Sequence, residues 1–175
     1  MSSSSIEASW LKAFVKVLKK CAITDSESVV VLTELQTRAD LITLTELALA
    51  QLDRRYYRMV LPPITHPPGP LVRSSGVSLA LTSQPGAVSA LCDADVIIDL
   101  TVEGLMHAAE TARILQSGAR IMNISNEHPE TLSRLLPDES VKDQVKTAVR
   151  QIKQASQMSV AVSYTHLTLP TTPYV

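Results

Sequence analysis

The residues best suited to chemistry follow two short apolar runs. Asp99, Thr101, Glu103 and His107 come at and after Asp95-Val96-Ile97-Ile98-Asp99-Leu100, and Ser125, Asn126 and Glu127 come after Ala119-Arg120-Ile121-Met122-Asn123-Ile124. Carboxylates, hydroxyls, an amide and an imidazole are groups that hold polar ligands and transfer protons. A β-branched run between two aspartates suits a strand buried on both faces. Between the runs, Leu105, Ala108, Ala109, Ala112 and Leu115 recur at helix spacing, and Gly118 stands where a helix commonly ends in a left-handed cap. Strand, helix, strand is a βαβ unit, which implies a parallel pair and a right-handed crossover. Ligands of open parallel sheets bind beyond the carboxyl ends of the strands. Both polar sets are expected there.

The remaining elements must carry this unit. Ser4 and Glu7 have capping-box spacing, and Trp10, Leu11, Phe14, Val15 and Leu18 then line one face of a helix running to about Lys20. Its lysines Lys12, Lys16, Lys19 and Lys20 make a solvated face. Asp25-Ser26-Glu27 forms a turn before a buried strand at Ser28 to Leu32. Thr37 is placed to cap a helix through about Asp53, with Leu41, Leu44, Leu47, Ala48 and Leu52 apolar, and Tyr56 to Leu61 follows as a strand. Pro85 to Cys92 reads as a short helix leading into the organising strand. Pro129 fits the first turn of a helix to Leu136. Ser140 to about Gln157 forms a long amphipathic helix with Val141, Val145, Ala148, Val149 and Ile152 inward, and Met158 to Val162 opens a strand or a linker. The sum is an α/β fold: doubly wound, with a mostly parallel sheet and helices on both faces.

Between the second strand and the short helix lies Pro62-Pro63-Ile64-Thr65-His66-Pro67-Pro68-Gly69-Pro70. Its prolines withhold ladder donors and keep their neighbours extended, so it is a stiff loop whose titratable side chain is His66. Composition narrows the function. A net charge of −1 gives no electrostatic reason to expect nucleic acid or an anionic membrane. Cys21 and Cys92 lack CxxC spacing and read as core thiols of a reducing compartment. No apolar run reaches the roughly 18 residues of a spanning helix, and the Ser-rich start lacks a signal peptide's pattern, so a cytoplasmic location is expected. With five glycines and neither GxGxxG nor GxxxxGK[ST], a dinucleotide site or a P-loop is not expected. No HExxH or compact His/carboxylate cluster offers a metal site.

Two regions are distinguished. Val162-Ser163-Tyr164-Thr165-His166-Leu167-Thr168-Leu169-Pro170-Thr171 resembles the translated end of a transposon-based sequencing adapter, with Thr172 to Val175 as adjoining index sequence. Residues 1–161 are therefore read as an amino-terminal α/β domain, and 162–175 as a non-native tail after which the natural protein continues.

Residues 1–161 resemble the amino-terminal domain of the 2,5-dihydroxypyridine 5,6-dioxygenases, which are similar in fold to aminopeptidase T-like metallopeptidases. The resemblance rests on Phe14 to Leu18, Ser28 to Leu32, Leu61-Pro62 with His66-Pro67, Ala94 to Asp99, Ile114-Leu115, Gly118, Arg120-Ile121 and Leu135-Leu136-Pro137. It implies a parent enzyme that cleaves a small aromatic substrate with Fe(II), its ligands in a carboxyl-terminal domain, and none of them in this chain. It also implies a homo-oligomeric parent. His107 matches a histidine that acts as acid/base toward a ring hydroxyl, a task suited to an imidazole titrating near neutrality. Met106 beside it would line the substrate pocket. The segment from Asp99 to His107 is longer than the family pattern, and no proline follows His107. If Thr101 caps the helix, His107 falls in its second turn. A metallo-aminopeptidase parent, with metal-activated water attacking a peptide bond, stays open as the alternative. So does a non-enzymatic binding or assembly module using the Pro-rich loop.

Overall fold

A computed structural model describes residues 6–62, 76–124, 126–136 and 139–157. Four strands, β1 (Val29–Glu34), β2 (Tyr57–Leu61), β3 (Val96–Asp99) and β4 (Arg120–Asn123), form one sheet in the order β2-β1-β3-β4. Every pairing is parallel, with Leu32 level with Asp99 and Asp99 level with Asn123. The carboxyl ends of the three strands that carry the polar residues are thus aligned.

Alternation along the strands builds two cores. Val29 and Val31 of β1 and Val96 and Ile98 of β3 face α1 (Ala8–Lys20) and α2 (Ala39–Gln51), where Trp10, Phe14, Leu18, Leu41, Leu44 and Ala48 are buried. Val30, Leu32 and Ile97 face the other way, onto Val88 and Leu91 of α3 (Pro85–Cys92) and Ile114 of α4 (Thr111–Gln116). The two central strands, β1 and β3, are buried on both faces, as their near-continuous apolar runs require, while edge strand β2 is largely exposed. Helix α5 (Pro129–Arg134) carries Pro129 in its first turn, and its Leu132 packs on the α1 side. The four lysines of α1 are exposed. Among the described residues no helix is long and apolar enough to cross a membrane.

Several expectations need correction. The helix between β3 and β4 is six residues long and begins at Thr111, so residues 101–110 form a loop. The buried Asp99 carboxylate draws Thr101 and Leu105 into a turn, and Gly104 has φ +78°, which ends any helical run through it. Thr37 does not cap α2, whose N-cap position is Arg38; the Thr37 hydroxyl instead donates to Leu100 O at 2.9 Å and accepts from Glu34 N at 2.8 Å. Helix α6 (Glu139–Gln154) lies in a second compact unit, and its Val141, Val145, Val149 and Ile152 are exposed rather than inward. Helical periodicity fixes which residues share a stripe and leaves open what covers it. Leu47 of α2 is exposed as well. Gly118, at φ +101°, supplies the left-handed cap after α4. Ser4, the prolines from 63 to 70 with His66, the 158–162 segment and the 162–175 tail lie outside the described residues.

One buried group in α2 gives a stability prediction. Thr45 is fully buried, and among the described residues its hydroxyl has no hydrogen-bond partner. Burying an unpaired hydroxyl costs about 1–3 kcal/mol. Thr45→Val keeps the shape and removes the hydroxyl, so it is expected to raise stability by about 1 kcal/mol in chemical denaturation. A loss of about 1 kcal/mol would show that the hydroxyl is bonded in solution.

Candidate functional site

The site begins at the carboxyl ends of β1 and β3. Between these strands the direction of winding reverses, since β2 lies on one side of β1 and β3 on the other. Here that crevice is filled by the protein itself. Glu34, 3% exposed, accepts from Val102 N at 3.0 Å and from the Ser78 hydroxyl at 3.5 Å. Thr37 ties to Leu100, and Leu100 N donates to Leu32 O at 2.9 Å. Asp99, fully buried, accepts from Thr101 N at 3.0 Å, from the Thr101 hydroxyl at 2.7 Å and from Leu105 N at 2.7 Å. Burial pushes the Asp99 carboxyl above the usual carboxylate range, although all three donors favour its charged form. Asp99 and Thr101 therefore hold the loop rather than present chemistry to a ligand.

That loop is clasped by a second segment. Gly76 N donates to Glu103 O at 2.7 Å, Ser78 N to Gly104 O at 2.8 Å, and His107 N to Gly76 O at 2.5 Å. The clasp leaves His107 and Met106 exposed, Met106 by 65%. His107 thus sits in a loop past β3, not in the second turn of a helix. Met106 joins Leu105, Thr111, Leu115, Ile121 and Asn123 around a cavity of about 190 Å³ beside the end of β4. The His107 side chain is not part of that lining. Asn123 is the residue that sequence reasoning passed over. Gly104 packs against it so closely that an added Cβ would lie 2.5 Å from Asn123 Nδ2. A glycine interrupting an apolar period, with an amide ending the neighbouring strand, was the available signal.

Beyond β4 the polar set divides. Asn126 Oδ1 accepts from Arg38 N at 3.1 Å, joining the loops after β1 and β4. Arg38 also pairs with Asp40 through two nitrogens, at 3.1 and 2.6 Å. Burial alone would raise the Asp40 carboxyl, but the Arg38 bonds and charge outweigh it and hold it below its ordinary range. Glu127 and His128 line a cavity of about 210 Å³ with Leu41, Ile124, Leu132 and Leu135. The His128 ring meets Trp10 edge-on at 5.0 Å, and its Nδ1 accepts from Glu130 N at 3.3 Å. Ser125 lies outside the described residues.

Among the described residues, no three His, Cys, Asp or Glu side chains converge on a point that could hold an ion. An iron centre therefore does not fit these residues. Cys21 and Cys92 are free thiols, and burial raises that of Cys21 against the opposing charge of Arg120.

Comparison with known proteins places this geometry in a lineage. A family model described as 2,5-dihydroxypyridine 5,6-dioxygenase matches residues 9–173. The chain is 32% identical over 149 residues to a curated 2,5-dihydroxypyridine 5,6-dioxygenase of Pseudomonas putida, covering 84% of this chain and 42% of the relative. It also aligns with the solved structure of the 2,5-dihydroxypyridine dioxygenase of Pseudomonas putida at a TM-score of 0.74 and 30% identity, covering 86% of this chain and 44% of that one. The chain thus spans less than half the length of these relatives, while its parallel sheet and flanking helices agree with the solved fold. A match across nearly all of its residues decides the family, and the chain belongs to the 2,5-dihydroxypyridine 5,6-dioxygenase family.

Proposed function

We propose that this chain is the amino-terminal α/β part of an Fe(II)-dependent, extradiol-type ring-cleaving dioxygenase acting on a dihydroxypyridine-like aromatic. The observation that carries the reading is the match over residues 9–173 to a family of that description, with an aligned relative more than twice as long. The iron would be held by residues of the parent outside this chain, since the described residues offer no ligand set. This chain alone would then be inactive. Its own contribution is proton transfer and one wall of the substrate pocket. His107, exposed past the carboxyl end of β3, would take the proton from a ring hydroxyl and so make the ring electron-rich before oxygen attacks. Met106 would supply an apolar, adaptable surface to the ring beside it.

The test is isotopic. The full-length parent, expressed from an uninterrupted gene, is incubated with 2,5-dihydroxypyridine under ¹⁸O₂. Loss of the ring's ultraviolet absorbance with two labelled oxygens in the opened product is expected, and the 175-residue chain alone should give none. An intact ring, with hydrolysis of amino-terminal peptide bonds instead, would sink the proposal in favour of a metallopeptidase.

A further inference from the structure

His107 is oriented in an unusual way for a histidine that moves protons. Such imidazoles are normally aimed by a carboxylate or carbonyl on the second ring nitrogen. Among the described residues the His107 ring makes no hydrogen bond, yet its place is closely defined by one neighbour. A Cβ added to Gly76 would lie 3.0 Å from His107 Cδ2 and 3.3 Å from Met106 Cβ, so the ring rests on the face where a side chain would stand. The same glycine holds the loop by backbone bonds in both directions, donating to Glu103 O and accepting from His107 N. Its φ of +75° is also a conformation that L residues other than Asn and Asp avoid.

We propose that Gly76 is a positioning residue for His107, its absent side chain forming the seat that aims the imidazole and brings Met106 alongside it. The proposal rests on the dioxygenase reading and deepens it: the two residues assigned to the substrate share one backbone support. Any side chain at position 76 must push the ring aside or lift the loop. An added Cβ asks the ring or the loop to give by a few tenths of an ångström, and a longer side chain by more; a displacement of about 1 Å would lose around 100-fold in rate. Because Gly76 acts on His107, the main loss should fall on turnover, with any shift of Met106 appearing as a smaller rise in KM.

The contact is tested first in the unaltered 175-residue chain by NMR, where a nuclear Overhauser effect is expected between a Gly76 α-proton and the His107 ring proton on Cδ2. Gly76→Ala and Gly76→Asn then separate strain from contact, since Asn tolerates positive φ while still carrying a Cβ. Both variants should shift the His107 ring resonances and leave those of His128 in place. In the full-length parent, Gly76→Asn should lower kcat by about 10–100-fold with KM changed little. Absence of the Overhauser effect, or unmoved His107 resonances in a folded variant, would overturn the proposal. If neither variant folds, the measurement on the unaltered chain decides. Full activity of a His107→Ala parent would instead overturn the catalytic reading beneath it, with the Overhauser effect still present.

Discussion

On the proposed dioxygenase reading, His107→Ala in the full-length parent is expected to lower kcat by about 10²–10⁴-fold while iron content and folding stay unchanged. The range is that of losing one positioned acid/base. Three observations support it. His107 stands past the end of a parallel strand, where this architecture binds ligands. Its ring is exposed and carries no internal hydrogen bond among the described residues, so the proton-accepting nitrogen is available. It joins no group of described residues that could hold a metal, so its removal should not release iron. His66→Ala should do much less, since a loop position alone argues for that residue. Steady-state ring loss, iron analysis and circular dichroism on one preparation decide the matter. A normal rate with normal iron would strip His107 of its role.

Asp99→Ala is expected to destabilise the 175-residue chain by about 3 kcal/mol, the largest loss foreseen for a single polar residue here. It leaves three donors, Thr101 N, the Thr101 hydroxyl and Leu105 N, facing the place of a fully buried acceptor. Relief of the carboxylate's own burial offsets part of that. Its folded pKa is raised above the ordinary value of 3.8, so across the window between the two the native state binds more protons than the unfolded one. Asp99 thus makes stability fall as pH rises through that window, and the alanine variant should lose this slope. Urea denaturation across the acid range measures both effects. A change within about 0.5 kcal/mol would mean that the loop is held by other contacts.

The regular elements were legible because their signals are local and agree with one another. Pro85 to Cys92 is a helix with the expected bounds, and Val29 to Leu32 and Val96 to Ile98 are strands whose alternate residues feed opposite cores. The failures share a cause. Leu105, Ala108 and Ala112 do recur at helix spacing, but a carboxylate buried at the end of the strand claims the amides that a helix would need. Thr37 has the chemistry of a cap and uses it on Leu100, 63 positions away. Long-range capture of this kind leaves no trace in a window of neighbouring residues. Asn123 escaped for the same reason, since its place depends on Gly104 packing against it from another loop. The polar residues after β3 were found as a set, but only folding divides them into those that hold the loop and those that face outward.

The crevice between β1 and β3 has a consequence for what this scaffold could be made to bind. In many sheets of this winding, that gap receives an anionic phosphate on glycine-rich backbone. Here a buried carboxylate, Glu34, stands in it and is tied to the neighbouring loop. Grafting a glycine-rich turn after β1 would therefore not by itself yield a nucleotide binder, because the buried Glu34 side chain and the loop bonded to it already occupy the gap. That side chain would have to be replaced first. With that gap occupied by the chain itself, the open ground for a new ligand among the described residues lies to the side, by the loops after β3 and β4.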